Sequence, residues 1–142
     1  MIKIAPSMLS ANFATLSEEI KSIELAGADL LHIDIMDGHF VPNLTFGAPI
    51  VKAIRPYTQL PFDVHLMVTN PGDYVEEFAK IGVEYFTFHQ ETVPHMHRLI
   101  QHIKQCGMKA GVSLNPGTPV SLLEKGKKTA GNNKEELRQT AQ

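Results

Sequence analysis

The sequence has a single cysteine, Cys106, and no apolar run of the roughly 18 to 20 residues that a membrane helix needs. One cysteine excludes an internal disulfide and favours a reducing compartment. Residues 1–6 are too few, and too soon interrupted by Pro6, to form the core of a signal peptide. We therefore expect a cytoplasmic protein that does not associate with membranes.

The sequence also has little net charge. Its formal charge is −2 at pH 7, so no excess of one sign would draw it to nucleic acid or to an anionic membrane surface. Its 142 residues are 43% hydrophobic, which is typical of a soluble globular domain. Because a chain of about 150 residues buries only about 70% of its unfolded surface, we expect one domain.

Short apolar segments alternate with longer helical patterns about five times along residues 1–123. This alternation is typical of strand–helix units around a parallel sheet, so the predicted class is α/β. The spacing of Thr15 and Glu18 predicts a capping box at the first helix, and Gly82 is expected to end the third. We predict strands near residues 3–8, 30–36, 62–67, 84–89 and 108–114, and helices that begin near residues 15, 48, 70, 94 and 118.

The composition changes after Leu123. Residues 124–142 contain few apolar side chains, namely Ala130, Leu137 and Ala141, among many charged and amide groups. Such a segment has no face to bury. We expect a polar tail, either solvated or an isolated helix, that adds nothing to the core.

Polar side chains interrupt two of the predicted strands with a period of two. His32 and Asp34 share one face of the second strand, and His65 lies on the corresponding face of the third, together with Asp63. Two imidazoles and a carboxylate suit zinc or another divalent transition metal, and a catalytic site needs such a partial set with one position left open. The same residues are also compatible with a hydrogen-bonded interior, and the pattern alone leaves both interpretations open.

Other candidate residues have plainer interpretations. Asp63 is expected to make a structural hydrogen bond, and His89 to be a hydrogen-bonded core or surface residue. Met36 and Met67 are either core residues or an apolar substrate floor, because a thioether is soft and adaptable. Ser7, just after the first strand, is either a capping residue or a ligand contact at the end of a barrel strand.

Five segments of the chain closely resemble ribulose-phosphate 3-epimerases. The most specific is the run Asp-Gly-His-Phe-Val-Pro-Asn at residues 37–43. The matching segments are residues 6–13, 31–43, 62–68, 86–91 and 107–118, so the resemblance covers about residues 1–123. It implies a (β/α)₈ barrel of the TIM type, of which this chain has about the first five strand–helix units followed by the polar tail.

The resemblance also implies an activity and a site. The expected reaction is the metal-dependent interconversion of D-ribulose 5-phosphate and D-xylulose 5-phosphate, an isomerase step of the pentose phosphate pathway, by two-base proton transfer at C3 through an enediolate. The resemblance implies that His32, Asp34 and His65 bind one divalent metal ion, zinc or iron(II) first, with manganese or cobalt as alternatives. It makes Asp34 one of the two acid/base carboxylates. It places Ser7 and His65 against the phosphosugar, and Met36 and Met67 beneath it.

The second half of the family's barrel has no counterpart in this sequence. No later strand supplies the second carboxylate, and no glycine-rich loops bind the phosphate. We therefore expect this truncated chain to be inactive alone. The alternatives are a related epimerase of the allulose 6-phosphate type and a non-catalytic fragment. A homo-oligomer, or association with a full-length epimerase, also remains open.

Overall fold

The computed structural model describes residues 4–6, 15–41 and 47–115 in full, and residues 137–141 by their backbone. Its helices and strands alternate along the chain, as the sequence predicts. In order they are α1 (Leu16–Leu25), β1 (Leu31–Met36), α2 (Ala48–Ile54), β2 (Phe62–Met67), α3 (Val75–Ile81), β3 (Tyr85–His89), α4 (Met96–Gln105), β4 (Lys109–Leu114) and β5 (Leu137–Ala141). Short 3-10 turns occupy Arg55–Tyr57, Pro71–Tyr74 and Gln90–Thr92.

The strands form one sheet in the order β1-β2-β3-β4-β5, and every neighbouring pair is parallel. Parallel neighbours need a crossover, and α2, α3 and α4 supply the crossovers between the first four strands. The predicted α/β class and four of the five predicted strands are therefore confirmed. This architecture is a partial barrel of successive strand–helix units.

The predicted first strand, near residues 3–8, is described only at residues 4–6, which are not assigned to a strand. These residues nevertheless lie against the start of β1. The amides of Asp29 and Leu30 donate to the carbonyl of Ile4, and the amide of His32 donates to the carbonyl of Pro6. The helix expected near residue 118 lies outside the described residues.

The core lies between one face of the sheet and the helices. On that face β1 and β2 present only apolar side chains, which are Leu31, Ile33, Ile35, Phe62, Val64 and Leu66. Each of these strands therefore follows the period of two that a half-polar strand requires. In α4 the buried residues Met96, Leu99, Ile100 and Ile103 follow the spacing of one helical stripe. Burial of each large side chain stabilises the fold by about 1.5–3 kcal/mol.

The helix ends follow the sequence signals only in part. Gly82 ends α3 with a φ of 97°, the left-handed conformation predicted for it. The predicted capping box at Thr15 is wrong, because the Thr15 side chain makes no hydrogen bond to α1. The backbone of Thr15, with φ −129° and ψ 39°, is outside the extended region that a capping side chain needs.

The segment at residues 124–142 also differs from the prediction. Within it, the backbone of residues 137–141 forms β5, which pairs in parallel with residues 110–114 of β4. A strand at a sheet edge offers unpaired backbone N–H and C=O groups, and pairing with them does not require apolar side chains. Polar composition therefore did not exclude a strand here.

Within the described ranges, no helix combines the length and the apolar character required to cross a bilayer.

Candidate metal centre

Three side chains predicted from the period of two converge at the polar face of the sheet. Asp34 on β1 is directly opposite His65 on β2, and His32 is one strand repeat before Asp34. The carboxylate Oδ1 of Asp34 lies 3.0 Å from Nε2 of His32 and 3.2 Å from Nδ1 of His65. One donor atom from each residue lies within 4.8 Å of the others. The geometry therefore brings together the three residues that the sequence analysis selected.

The charges of these groups depend strongly on one another. Burial of the His32 imidazole opposes its protonation, but hydrogen bonds to Asp34 and Asp63 and the charges of these carboxylates raise its pKa to about 9. Burial likewise opposes ionisation of Asp34, but hydrogen bonds and charge from His32 and His65 hold the pKa of this carboxyl well below its usual range. Without a metal, the cluster thus pairs the anionic carboxylate of Asp34 with the protonated imidazole of His32.

A divalent transition metal fits this donor set. Imidazole nitrogen and carboxylate oxygen are the ligands that zinc and iron(II) accept, and three protein ligands leave a coordination position open. The side chains are 26%, 12% and 5% exposed for His32, Asp34 and His65 respectively. The cluster is therefore shielded but still reachable from solvent.

Asp63 orients the His32 imidazole through the ring nitrogen that does not face Asp34. Its Oδ2 lies 3.1 Å from Nδ1 of His32, so that ring nitrogen is occupied and Nε2 faces Asp34. The Thr87 hydroxyl approaches the other Asp63 oxygen at 3.5 Å. Gly111 makes room for Thr87, because a Cβ at position 111 would clash with the Thr87 Oγ1. The structural hydrogen bond predicted for Asp63 is confirmed.

His89 is the neighbour of the site that the sequence analysis did not connect with it. It is fully buried, as a core histidine should be, and its Nε2 lies 2.8 Å from Nε2 of His65. The two rings stack with centroids 4.9 Å apart. Burial, followed by the adjacent His65, lowers the pKa of His89 to about 4. The alternation of Thr87 and His89 along β3 is the sequence signal that points to this face.

Asp37 holds together the two loops that follow β1 and β2. Its Oδ1 accepts the amides of His39 and Phe40, and its Oδ2 accepts the amide and hydroxyl of Thr69. Burial opposes ionisation of Asp37, but the hydrogen bonds from the three amides and the Thr69 hydroxyl together lower the pKa of its carboxyl. The carboxylate therefore fixes the loop start at the strand ends beside the donor cluster.

The remaining candidate residues are placed as follows. Met36 and Met67 form the next opposed pair of β1 and β2 beyond Asp34 and His65, with Met67 buried and Met36 half-buried. Their alternation puts them on the same face as the donor cluster. Ser7 lies outside the described residues.

Comparison with known proteins identifies relatives of this chain. Residues 3–129 match the model of the ribulose-phosphate 3 epimerase family, which extends six residues beyond the resemblance seen in the sequence. A ribulose-phosphate 3-epimerase from Bacillus subtilis is 59% identical over 124 residues, which are 87% of this chain and 57% of that protein. A chloroplastic ribulose-5-phosphate-3-epimerase from Arabidopsis thaliana is 52% identical over 125 residues, 87% of this chain and 44% of that protein.

The chain thus spans about half the length of the curated relatives it matches. Among solved structures, a 3-dehydroquinate dehydratase from Aquifex aeolicus is similar with a TM-score of 0.67 and 17% identity, over 99% of this chain and 67% of that one. At this low identity the likeness concerns the fold alone.

Proposed function

Because the chain belongs to the ribulose-phosphate 3 epimerase family, we propose that it carries one part of an active site that interconverts D-ribulose 5-phosphate and D-xylulose 5-phosphate. One observation carries the proposal. Asp34 Oδ1 lies between Nε2 of His32 and Nδ1 of His65, at 3.0 and 3.2 Å, within the stretch matched to the family. This cluster combines an acid/base group with metal ligands, which are the two kinds of group that the reaction uses.

His32, Asp34 and His65 are the proposed ligands of one divalent metal ion. Zinc and iron(II) are the first candidates, with manganese and cobalt as alternatives. When bound, the ion supplies positive charge beside the oxygens of the deprotonated sugar. The support from this chain is the donor chemistry of the three residues and the spacing of their donor atoms within 4.8 Å.

Asp34 is the proposed acid/base residue. Inversion at C3 removes a proton from one face of the sugar and returns a proton to the other, so each face needs a group that accepts or donates it. Asp34 is ionised near neutral pH, so its carboxylate is in the form that can accept a proton. We assign the opposite face to a second group outside residues 1–123.

The proposed substrate contacts surround this cluster. Ser7 and His65 are assigned to polar contacts with the phosphosugar. Met36 and Met67 are assigned to the floor beneath it, because their opposed positions continue the polar face by one strand repeat. A thioether surface accommodates a sugar backbone without competing for its hydroxyl groups.

Proton exchange at C3 tests the proposal directly. The protein for the assay joins residues 1–123 of this chain to the remaining part of the Bacillus subtilis relative. In deuterated water, D-ribulose 5-phosphate is expected to gain label at C3. Asp34→Asn should lower turnover about 10²- to 10⁴-fold, the scale of one positioned acid/base group. The matched control is Asp73→Asn, since Asp73 is an exposed carboxylate bound to the side chain of Asn70.

The outcomes separate the activity from the residue. No conversion by a folded, metal-loaded hybrid overturns the proposed activity. Equal exchange by the hybrid and its Asp34→Asn variant removes Asp34 from the acid/base role. A comparable loss in Asp73→Asn shows that a carboxylate change anywhere impairs the protein, and it also counts against Asp34.

A further inference from the structure

The His65 imidazole contacts different partners through its two nitrogens. Nδ1 faces Asp34 in the donor cluster, whereas Nε2 lies 2.8 Å from Nε2 of His89. We propose that His89, supported by Glu91, is a positioning residue that fixes the ring of His65 so that Nδ1 is the nitrogen presented to a metal ion. This inference rests on the proposed function and adds residues that the donor cluster does not contain.

The His65–His89 contact determines where the hydrogens lie. Two imidazole nitrogens at 2.8 Å need one donor and one acceptor. A metal at Nδ1 of His65 uses the lone pair of that nitrogen, so the neutral ring carries its hydrogen at Nε2. His65 then donates to Nε2 of His89, and His89 must carry its own hydrogen at Nδ1.

Glu91 is placed to favour this arrangement of hydrogens. Its Oε2 lies 3.6 Å from Nδ1 of His89, and its Oε1 accepts the backbone amide of Asn115 at 2.6 Å. The carboxylate is therefore anchored by the residue that follows β4. It lies beside Nδ1 of His89, a buried nitrogen with no hydrogen-bond partner among the described residues. An imidazole that binds a metal commonly donates its second N–H to an outer partner, which sets both its tautomer and its ring orientation. Here the ligand is His65 and the outer partner is His89.

Two neighbouring rings contact the His89 ring, and a hydroxyl binds its backbone. The His65 ring meets it through the Nε2–Nε2 contact, with an angle of 19° between the ring planes. The Phe40 ring lies at a centroid distance of 5.0 Å, and the Phe40 amide is bound by Asp37. The Thr92 hydroxyl donates to the His89 carbonyl at 2.8 Å. A ring fixed in this way can transmit a defined orientation to His65.

The same features would exist if His89 only filled the core, so the test needs a readout that packing alone does not change. The tautomers provide it. In the full chain with ¹⁵N-labelled histidine and bound zinc, long-range ¹H–¹⁵N spectra should show the hydrogen of His65 on Nε2 and that of His89 on Nδ1. A hydrogen of His89 on Nε2 overturns the proposal.

Zinc affinity, measured by competition with a chromophoric chelator, provides the second readout. His89→Phe keeps a buried ring but removes the acceptor, so zinc affinity is expected to fall about 10- to 100-fold, the usual cost of losing an outer partner. His89→Gln keeps an acceptor oxygen and should lose less. His95→Gln changes an exposed histidine before α4 and should bind zinc as the parent does.

Each outcome of these measurements bears on the positioning role of His89. A folded His89→Phe variant with the zinc affinity of the parent overturns it while leaving the proposed metal site intact. If the parent chain binds no zinc, the metal site fails and this inference fails with it. If His89→Phe does not fold, the tautomer of His89 in the zinc-loaded parent decides.

Discussion

The two faces of β1 and β2 carry different kinds of side chain on the same twelve residues. The face towards the helices is wholly apolar, with the side chains of Leu31, Ile33 and Ile35 between 0 and 5% exposed. The opposite face carries His32, Asp34, Asp63 and His65, whose polar atoms contact each other. Along each strand, buried apolar residues thus alternate with residues of the polar cluster, so a single substitution can address either face.

The largest effect on stability is expected from the apolar face. Ile33→Ala removes a fully buried side chain between His32 and Asp34, and should lower the free energy of unfolding by about 2–5 kcal/mol through lost burial and a cavity. Zinc affinity of the folded variant should be unchanged, because Ile33 points away from the donor atoms. Urea unfolding and a zinc titration measure both. Loss of zinc binding in the folded variant would mean that the two faces are not separable.

On the polar face, the largest expected effect is on zinc affinity. His65→Ala removes a proposed ligand and should lower zinc affinity at least about 100-fold, the upper end of the cost of losing an outer partner. The matched control is His97→Ala on the exposed side of α4, which should leave zinc binding unchanged. Isothermal titration of both variants is the measurement. Equal affinities would remove His65 from the site.

The stability of the metal-free protein should depend on pH through two histidines with shifted pKa values. His32 lies on the polar face, and His89 contacts His65 on that face. The pKa of His32 is raised from 6.5 to about 9, so its stabilising contribution is complete below pH 6.5 and is lost as pH rises to 9. The pKa of His89 is lowered to about 4, so its contribution is present above pH 6.5 and is lost as pH falls to 4.

The melting temperature of the metal-free protein should therefore pass through a maximum near pH 6.5. His32→Gln is expected to flatten the decline on the alkaline side, and His89→Gln the decline on the acid side. A melting temperature that rises steadily from pH 6.5 to 9 in the parent would contradict the ion pairing of His32. Circular dichroism melts across this range supply the data.

The smallest effect is expected away from both faces. A working threonine cap contributes about 1 kcal/mol, but the Thr15 side chain makes no hydrogen bond to α1. Thr15→Ala should therefore change the free energy of unfolding by less than about 0.5 kcal/mol, the usual range for an exposed substitution. A urea unfolding curve that reveals a loss of 1 kcal/mol or more would restore the predicted capping box.

The sequence was sufficient for features that follow from local periodicity. The period of two in β1 and β2 predicts which face receives His32, Asp34 and His65, and the structure brings these residues together. The contact of His65 with His89 depends on the stagger between β2 and β3, where His65 is opposite Thr87. That stagger arises from the packing of whole strands, so neither histidine's local sequence encodes it.

Two other features depend on the backbone rather than on residue types. The capping box at Thr15 has the right residues but the wrong backbone angles at that position. The strand at residues 137–141 pairs through its peptide groups with the edge of β4, which a composition of polar side chains does not reveal. Hydrophobic patterning predicts burial, and it is silent where hydrogen bonding of the main chain decides the structure.

The zinc-edge X-ray absorption spectrum of the zinc-loaded chain is the most direct test of the polar face as a metal centre. We predict two imidazole nitrogens at about 2.0–2.1 Å and carboxylate oxygen at about 2.0–2.2 Å, with the imidazole scattering reduced to one ring in His65→Ala. A spectrum without two imidazoles, or one dominated by sulfur at about 2.3 Å, would contradict the assignment of His32, Asp34 and His65 as the metal centre.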